Sequence, residues 1–292
     1  MTQISLDTIN NADKTAFVAA LGDVFEHAPW VAETVHAARP FPSLAALYAM
    51  MTSTVRSANA NQRHALINGH PDLAARAGTL TQESNAEQAS AGLDRLSKTE
   101  LTKFTRLNNA YRAKFGIPFI ICVRRHGKES ILRQFERRLE HDVTTELETA
   151  LTEIFRIAGL RLAERVSAPD QLKVHGRLST HVLDTHSGRP AAGVAIELSE
   201  VSGAGVTRTI ERATTNDDGR TDRPLIDGRP VPIGRYELRF AIGDYFAGQT
   251  ILLADPPFLD VVPVQFAVAD PEGHYHVPLL VTPWSYSTYR GS

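Results

Sequence analysis

The spacing of apolar residues changes near residue 167, and this change divides the chain. Before it, apolar residues recur at every third or fourth position with charged residues between them, as at Ile131, Leu132, Phe135 and Leu139 and again across residues 147–162. Such spacing places the apolar side chains on one face of a helix. We therefore expect residues 1–166 to form an all-α domain.

The later part of the chain has the pattern of strands. Short runs of β-branched and aromatic residues occur at 194–198, 236–240 and 261–266, separated by Gly, Pro and Asp. This pattern is typical of an all-β sandwich. Residues 274–281 alternate in the manner of a half-buried strand, which would place His274 and His276 on one face. We expect a multidomain protein with a linker at 167–172 and a β domain at 173–292.

Charge and cysteine content exclude several classes of function. Lys and Arg total 31 and Asp and Glu total 33, so the net charge of −2 offers no basic surface for nucleic acid and no polybasic membrane anchor. Cys122 is the single cysteine, which excludes an internal disulfide and a cysteine-based zinc site. The chain has no apolar stretch of membrane-spanning length and no signal peptide pattern at its start. We expect a cytoplasmic protein.

Polar residues in the helical part are spaced so that they could form a site. Ser84, Glu87 and Gln88 stand at i, i+3 and i+4, so a helix would present them on one side. A capping box formed by Ser84 and Glu87 would explain those two residues without a substrate, but it would not explain Gln88. His70 directly precedes Pro71, where we expect a helix to begin because proline is tolerated in a first helical turn.

The β part resembles the transthyretin-related 5-hydroxyisourate hydrolases. The resemblance covers residues 173–292 and rests on Leu-Ser-Thr-His-Val-Leu-Asp at 178–184, the Asn-Asp-Asp-Gly-Arg loop at 216–220, the strand at 274–281 and the closing Tyr-Arg-Gly-Ser at 289–292. It implies a transthyretin-like sandwich with a site whose residues are His181, Arg220, His276 and Ser292, with Tyr289 lining it.

Ring opening by water is the chemistry that this resemblance implies. Histidine titrates near neutrality and can activate water, so we assign that role to His181 and His276. Arginine stays cationic and offers a rigid fork of donors for substrate and oxyanion, which we assign to Arg220. A His-x-His pair on a strand can also bind zinc, but no carboxylate or thiolate pattern supports a metal here, and we expect none. For any one histidine taken alone, a satisfied surface or core residue would be the favoured explanation, but four motifs in family order reverse that weighting.

The helical part resembles the 2-oxo-4-hydroxy-4-carboxy-5-ureidoimidazoline (OHCU) decarboxylases, which are all-helical. The resemblance spans about residues 8–165 and rests on Pro29-Trp30 and on the segments at 69–74, 84–94, 108–111 and 114–123. It implies that His70 is the catalytic imidazole and that Glu87 hydrogen-bonds the substrate. The further substrate-binding groups that it implies are Ser84, Gln88, Arg161 and the backbone of Phe119 and Ile121.

Arg161 has a simpler explanation that remains open. Arg156, Arg161 and Arg165 share one predicted helix, and a solvated basic stripe is the usual reason for such a series. If Arg161 does act at a site, charge-assisted hydrogen bonds to a substrate carboxylate or carbonyl are its expected contribution.

The two resemblances fit one reaction sequence, and together they resemble the bifunctional allantoin synthases of urate degradation. Hydrolysis of 5-hydroxyisourate gives OHCU, and decarboxylation of OHCU gives (S)-allantoin, so small molecules are the expected partners and no cofactor is expected. The resemblance also implies a homo-oligomer, a tetramer through the β domain with possible dimer contacts through the helical domain. Two alternatives remain: a transthyretin-like ligand carrier, and a fusion in which one domain is catalytically silent.

Overall fold

The computed structural model describes residues 3–74, 81–203 and 205–291 and contains two compact units. One unit comprises Met1–Arg124 and Ile131–Val174, and the other comprises Arg125–Ser130 and His175–Ser292. The first is built mainly of helices around its own apolar core, and the second is a two-sheet β structure around another. The predicted fold class, a helical domain followed by a β sandwich, is confirmed. The expected domain limits at 166 and 173 stay a prediction.

The helical unit contains helices that begin and end at recognisable capping residues. Ser97 and Glu100 form a capping box at the start of the long helix that begins at Lys98, and Asp142 caps the helix that begins at Val143. The helices are α1 (Leu6–Asn11), α2 (Lys14–Leu21), α3 (Trp30–Val35), α4 (Leu44–Ser57), α5 (Ala60–Asn68), α6 (Gln82–Ser90), α7 (Lys98–Phe115), α8 (Lys128–Arg138) and α9 (Val143–Arg165). A two-residue parallel pair, β1 (Ile4–Ser5) with β2 (Val166–Ser167), joins the two ends of this series.

The helix α9 crosses the core of the helical unit, and apolar spacing explains why. Leu151, Ile154 and Ala158 are at most 3% exposed, as their three- and four-residue spacing predicted. Gly159 lies against the ring of Tyr48, and the Tyr48 hydroxyl donates to the carbonyl of Phe155. The contacts with Tyr48 therefore fix the position of α9, and of its residues after Gly159, within the helical unit.

A network of buried charged side chains contacts residues 119–121, which follow α7. The Arg138 guanidinium donates from Nε to Glu146 at 2.8 Å and from Nη1 to the carbonyl of Ile120 at 2.7 Å. The Tyr111 hydroxyl also donates to Glu146, and all three side chains are at most 2% exposed. The guanidinium lies 4.4 Å from the ring centre of Phe119. Arg138 thus ties the backbone at residues 119–121 to α8 and α9.

The β unit consists of two sheets that face each other. The first has the strand order β11-β10-β3-β4, with β7 also paired to β3, and the second has the order β6-β5-β8-β9. The elements are β3 (Gly176–Asp184), β4 (Arg189–Pro190), β5 (Ala195–Val201), β6 (Thr207–Thr214), β7 (Ile226–Arg229), β8 (Gly234–Ala241), α10 (Ile242–Ala247), β9 (Val261–Val268), β10 (His274–Val281) and β11 (Tyr286–Thr288).

Alternation along β3 and β10 separates the core from the outer face of the first sheet. Leu178 and Val182 of β3 and Val277 and Leu279 of β10 point into the sandwich and are at most 6% exposed. Because successive side chains of a strand point to opposite faces, the residues between them lie on the outer face. The two strands are parallel neighbours, so their outward residues form one continuous surface.

Replacing Arg138 by Met should lower the free energy of unfolding of the helical unit by about 3–5 kcal/mol, because the buried Glu146 would lose its guanidinium partner and keep only its contacts with Tyr111 and His141. Denaturant unfolding followed by circular dichroism in the helical region measures this loss.

The matched control is Lys103→Met, which removes an ion pair with Glu136 whose side chains are 39% and 55% exposed. Its effect should stay below about 1 kcal/mol. A loss in Arg138→Met no larger than that of the control would show that the buried network does not stabilise the unit.

Candidate active sites

The helix α6 brings the polar residues predicted from the helical part onto one face. It begins at Gln82, and its N-cap is Thr81, whose side chain accepts a hydrogen bond from the backbone N–H of Ser84 at 3.2 Å. Ser84 therefore lies inside the first turn and is not the cap, so the capping-box explanation is wrong. Ser84 and Gln88 are 5% and 7% exposed, and such burial of polar side chains requires partners.

The loop that carries His70 is held by amide side chains from other elements. The helix expected to begin at Pro71 is not formed, since residues 71–74 are non-helical and Ala74 has a φ of +55°. The backbone N–H of Ala74 donates to Oε1 of Gln88 at 2.9 Å, and Asn108 donates to the carbonyl of Leu73 at 2.9 Å. These contacts from distant helices replace the bonds that a helical turn would have supplied.

His70 is buried in one defined tautomer. Its Nδ1 lies 2.9 Å from the carbonyl oxygen of Leu66, and because a carbonyl can only accept, Nδ1 carries the proton. The neutral ring therefore keeps a lone pair on Nε2. Burial lowers the pKa of His70, and the nearby charge of Arg161 lowers it further. The hydrogen bond to Leu66 and the charge of Glu26 raise the pKa, but they do not outweigh the burial. The imidazole is thus neutral at neutral pH and can accept a proton at Nε2.

Arg161 forms a two-point ion pair with Glu87. Its Nε donates to one Glu87 oxygen at 2.8 Å and its Nη2 to the other at 2.9 Å, while Nη2 also reaches Glu26 at 3.1 Å. Burial alone would lower the pKa of Arg161, but the hydrogen bond and charge of Glu87 raise it, so the guanidinium stays charged. The side chain is 5% exposed. Arg161 is therefore not part of a solvated stripe, whereas Arg156 pairs with Glu153 nearer the surface.

Glu26 completes this group of charges, and the sequence analysis missed it. It lies between α2 and α3 and is flanked by Val24, Phe25 and Ala28, each 1% exposed. Burial would raise the pKa of Glu26, but the hydrogen bond from Ser84 and the charge of Arg161 outweigh it and hold the pKa below its ordinary value. Its one signal in the sequence is the presence of an acidic residue within an apolar run.

One cleft joins these groups. Its polar lining includes Glu26, Ser84, Glu87, Gln88 and His70, and its apolar lining includes Phe119, Ile121 and Ile157. Phe119 and Ile121 are at most 3% exposed, and their segment is anchored through Ile120 by Arg138. The sequence-predicted residues of the helical part are therefore gathered around the cleft, except Arg161, which reaches it through its ion pair with Glu87.

A second group of polar residues lies on the outer face of β3 and β10. The register of the parallel pair sets Ser179 beside His276, and the Ser179 Oγ lies 3.0 Å from Nδ1 of that ring. His181 lies two residues further along β3, with its ring centre 6.5 Å from that of His276. An isolated antiparallel bridge pairs the backbone of Arg220 with that of His181 and so brings Arg220 beside this group. Alternation along the two strands thus gathers the two imidazoles, and the bridge adds Arg220.

The two imidazoles are both held in the neutral form. Burial lowers the pKa of His181, and the charge of Arg220 lowers it further, against the opposing effect of Asp218. Burial likewise lowers the pKa of His276, followed by the charge of Arg220 and then of His181. Nε2 of His181 is buried and makes no hydrogen bond to the described residues. Neutral imidazoles beside a fixed cation can accept a proton from water while the cation attracts developing negative charge.

The cleft over this group has a volume of about 270 Å³. Arg220 and His276 line it, whereas His181 is not among the lining residues. The other charged and polar residues of the lining are Arg177, Ser179, Thr180, Thr221, Asp222, Arg223 and His274.

The tail of the chain is seated on β10. The backbone N–H of Gly291 donates to the carbonyl of His276 at 2.8 Å, and a side chain at position 291 would collide with the His276 ring. The Arg290 guanidinium lies 4.8 Å from the ring centre of Tyr275. Tyr289 is 57% exposed and is not among the lining residues of the cleft. Ser292, predicted as a site residue, lies outside the described residues.

Two features are absent from the described part of the chain. No three His, Cys, Asp or Glu side chains are grouped there as ligands of a metal ion would be. None of its helices combines the length and the apolar character that crossing a membrane requires.

Comparison with known proteins gives matches for both units. A family model described as OHCU decarboxylase matches residues 10–163, and one described as HIUase/Transthyretin family matches residues 178–291. The chain is 59% identical over 119 residues to a 5-hydroxyisourate hydrolase of Deinococcus radiodurans, covering 40% of this chain and 98% of that protein. It is 43% identical over 168 residues to a 2-oxo-4-hydroxy-4-carboxy-5-ureidoimidazoline decarboxylase of Haloferax volcanii, covering 58% of this chain and 99% of that protein.

One solved structure is similar over both units. A crystal structure of (S)-allantoin synthase is 33% identical in sequence, and the alignment covers 99% of this chain and all of that one. The TM-score is 0.51.

The geometry of His70 predicts its tautomer and its titration. Because burial lowers its pKa, His70 should remain mostly neutral at pH 6.5, where an unshifted imidazole is half protonated, and the proton should be on Nδ1. NMR of the protein with isotopically labelled histidine measures both properties. A proton on Nε2, or half protonation above pH 6.5, would contradict the arrangement described.

Proposed function

We infer that this chain, which belongs to the OHCU decarboxylase family and to the HIUase/transthyretin family, catalyses two consecutive reactions of urate degradation. Its β unit hydrolyses 5-hydroxyisourate to OHCU, and its helical unit decarboxylates OHCU to (S)-allantoin. The observation that carries this conclusion is the similarity to (S)-allantoin synthase across both units. A chain with only one working unit would not need both groups of polar residues.

In the hydrolase reaction, a water molecule attacks the acyl carbon of a ring amide and the bond from that carbon to nitrogen breaks. We assign His181 and His276 to water activation and proton shuttling. A neutral imidazole accepts a proton from the attacking water, and the imidazolium that forms delivers this proton to the leaving nitrogen. Arg220 stabilises the negative charge that develops on the carbonyl oxygen. Ser179 orients His276 by its contact with Nδ1, which leaves Nε2 for the reacting groups.

In the decarboxylase reaction, the bond from a ring carbon to the carboxylate breaks and the electron pair is delocalised into the ring of the substrate. The protein then has to orient the carboxylate and move one proton. We assign the proton to His70, whose Nε2 can take it from the substrate hydroxyl and return it to carbon. Ser84, Glu87, Gln88 and Arg161 hold the polar groups of the substrate, and the backbone at Phe119 and Ile121 contributes further contacts.

Neither reaction requires a metal or an organic cofactor in this proposal. Hydrolysis is supported by the neutral imidazoles beside Arg220, and decarboxylation by the electron-accepting ring of the substrate itself. A transthyretin-like carrier has no use for His181, His276 and Arg220 in this arrangement, so we favour the enzyme.

We also propose that the chain is a cytoplasmic homo-oligomer, a tetramer through the β domain of residues 173–292 with possible dimer contacts through the helical domain of residues 1–166, the two joined by a linker at 167–172. Support comes from three exposed aromatic side chains in the last part of the β unit, since Trp284, Tyr286 and Tyr289 are 45–57% exposed. Light scattering of the purified chain tests this assembly, and a monomer would exclude it.

Separate substitutions should separate the two activities. His70→Asn should lower (S)-allantoin formation from OHCU by at least about 10²-fold, the usual contribution of a proton-transfer group, and leave consumption of 5-hydroxyisourate within twofold. His276→Asn should do the reverse. Ultraviolet absorbance follows the first reaction, and circular dichroism follows the optically active product of the second.

An exposed histidine provides the control for this pair. His64 lies on the exposed side of α5, and His64→Asn should leave both rates unchanged. Loss of both activities in either site variant, with the fold retained, would refute the assignment of one reaction to each unit.

Deletion of residues 289–292 should lower hydrolase activity at least tenfold and spare the decarboxylase. The cut removes the Gly291 bond to the carbonyl of His276 but leaves the pairing of β11 with β10 intact. The two assays above measure the effect, with circular dichroism to verify the β unit. Undiminished hydrolysis in the shortened protein would remove Tyr289 and Ser292 from the proposed site.

A further inference from the structure

Glu26 is a buried carboxylate at the decarboxylase cleft, and the mechanism above gives it no role. Its side chain is 3% exposed, and it receives hydrogen bonds from three other residues. Thr81 donates to Oε1 at 2.8 Å, and Arg161 donates to Oε2 at 3.1 Å. The Ser84 hydroxyl lies 2.7 Å from each of the two oxygens.

These contacts fix the direction of the bond between Glu26 and Ser84. The guanidinium of Arg161 and the hydroxyl of Thr81 both stabilise the ionised form, and the pKa of Glu26 lies below its ordinary value in spite of its burial. An ionised carboxylate can only accept hydrogen bonds. Ser84 is therefore the donor, and its single hydroxyl proton is directed at Glu26.

We propose that Glu26 is a positioning residue that holds the hydroxyl proton of Ser84, so that Ser84 presents only acceptor lone pairs to the substrate. This inference rests on the proposed decarboxylase function and deepens it. Ser84 then selects a substrate N–H or O–H group and rejects a carbonyl or carboxylate oxygen at the same place. Because OHCU carries both kinds of group, the polarity of Ser84 fixes which end of the substrate faces α6.

The negative charge of Glu26 favours the same kind of substrate group as the acceptor lone pairs of Ser84 do. A substrate carboxylate placed beside Ser84 would meet a second carboxylate within hydrogen-bonding distance of that residue, and like charges in a buried site repel strongly. An N–H group at that place would instead be attracted. Glu26 and Ser84 together therefore orient the substrate by charge and by hydrogen bonding.

The substitution Glu26→Gln tests this role with little change in size. Arg161 can only donate, so the carboxamide oxygen must face Arg161, and the NH2 group then faces Thr81 and Ser84. The NH2 group occupies one lone pair of Ser84, and the hydroxyl proton is left with only the uncharged carboxamide oxygen as its acceptor. We expect KM for OHCU to rise by roughly 10- to 100-fold, the range of one charge-assisted hydrogen bond, with a smaller change in kcat.

A matched control and a second substitution separate positioning from general damage. Asp23→Asn removes a carboxylate from the same turn, but Asp23 pairs with Arg165 and not with Ser84, so KM should change less than twofold. In a Ser84→Ala background there is no hydroxyl to orient, and Glu26→Gln should raise KM by a smaller factor than it does in the unaltered chain. A fold defect would lower the fraction of active protein and leave KM unchanged, and hydrolysis by the same preparations checks the rest of the chain.

The outcomes distinguish a failure of the inference about Glu26 from a failure of the proposed decarboxylase function. Multiplicative losses in the double variant would show that Glu26 does not act through Ser84 and would overturn the inference while leaving the decarboxylase function intact. Failure of the unaltered chain to form (S)-allantoin from OHCU would refute the function, and the inference with it. If Glu26→Gln does not fold, Glu26→Asp enters the same cycle, because it keeps the charge and withdraws the carboxylate from Ser84 by one methylene. Equal KM in Glu26→Asp and the unaltered chain would also overturn the inference.

Discussion

The cleft of the helical unit depends on the neutralisation of a buried cation, Arg161. A charge inside an apolar core is stable only when partners surround it, and here Glu87 of α6 and Glu26 of the turn after α2 supply them. The three residues are distant in sequence, so their contacts join three separate segments. The same contacts shape the cleft, because α6 cannot present Ser84 to a substrate unless Glu87 is held in place. The ion pairs that stabilise this part of the helical unit therefore also position the residues proposed to bind the substrate.

The β unit obeys a different constraint, the two-residue period of its strands. Because alternate residues of β3 fill the core, Ser179 and His181 have to lie on the outer face, and the parallel register brings His276 beside them. A shift of one residue in this register would send the imidazoles into the core and the apolar residues out to solvent. The apolar packing thus enforces the arrangement of the polar groups.

The sequence predicted those features that depend on local periodicity or on a quoted motif. The apolar spacing of α8 and α9, the alternation of β10 and the family resemblances all lead to the observed fold class. It did not predict Glu26, because a single acidic residue in an apolar run has no spacing of its own. The helix expected at Pro71 failed because Gln88 and Asn108 hold that loop from other helices. Arg161 could not be told from Arg156 until their partners in space were known.

The order in which the chain is made reverses the order in which its two reactions occur. Arg161, in α9, is the last part of the decarboxylase cleft to be synthesised, whereas His276 joins Ser179 across a separation of 97 residues near the end of the chain. Domains fold as units during synthesis, the N-terminal one first. The unit that removes OHCU is consequently complete on the ribosome before the unit that produces it exists. No growing chain can release this intermediate before it has acquired the means to consume it.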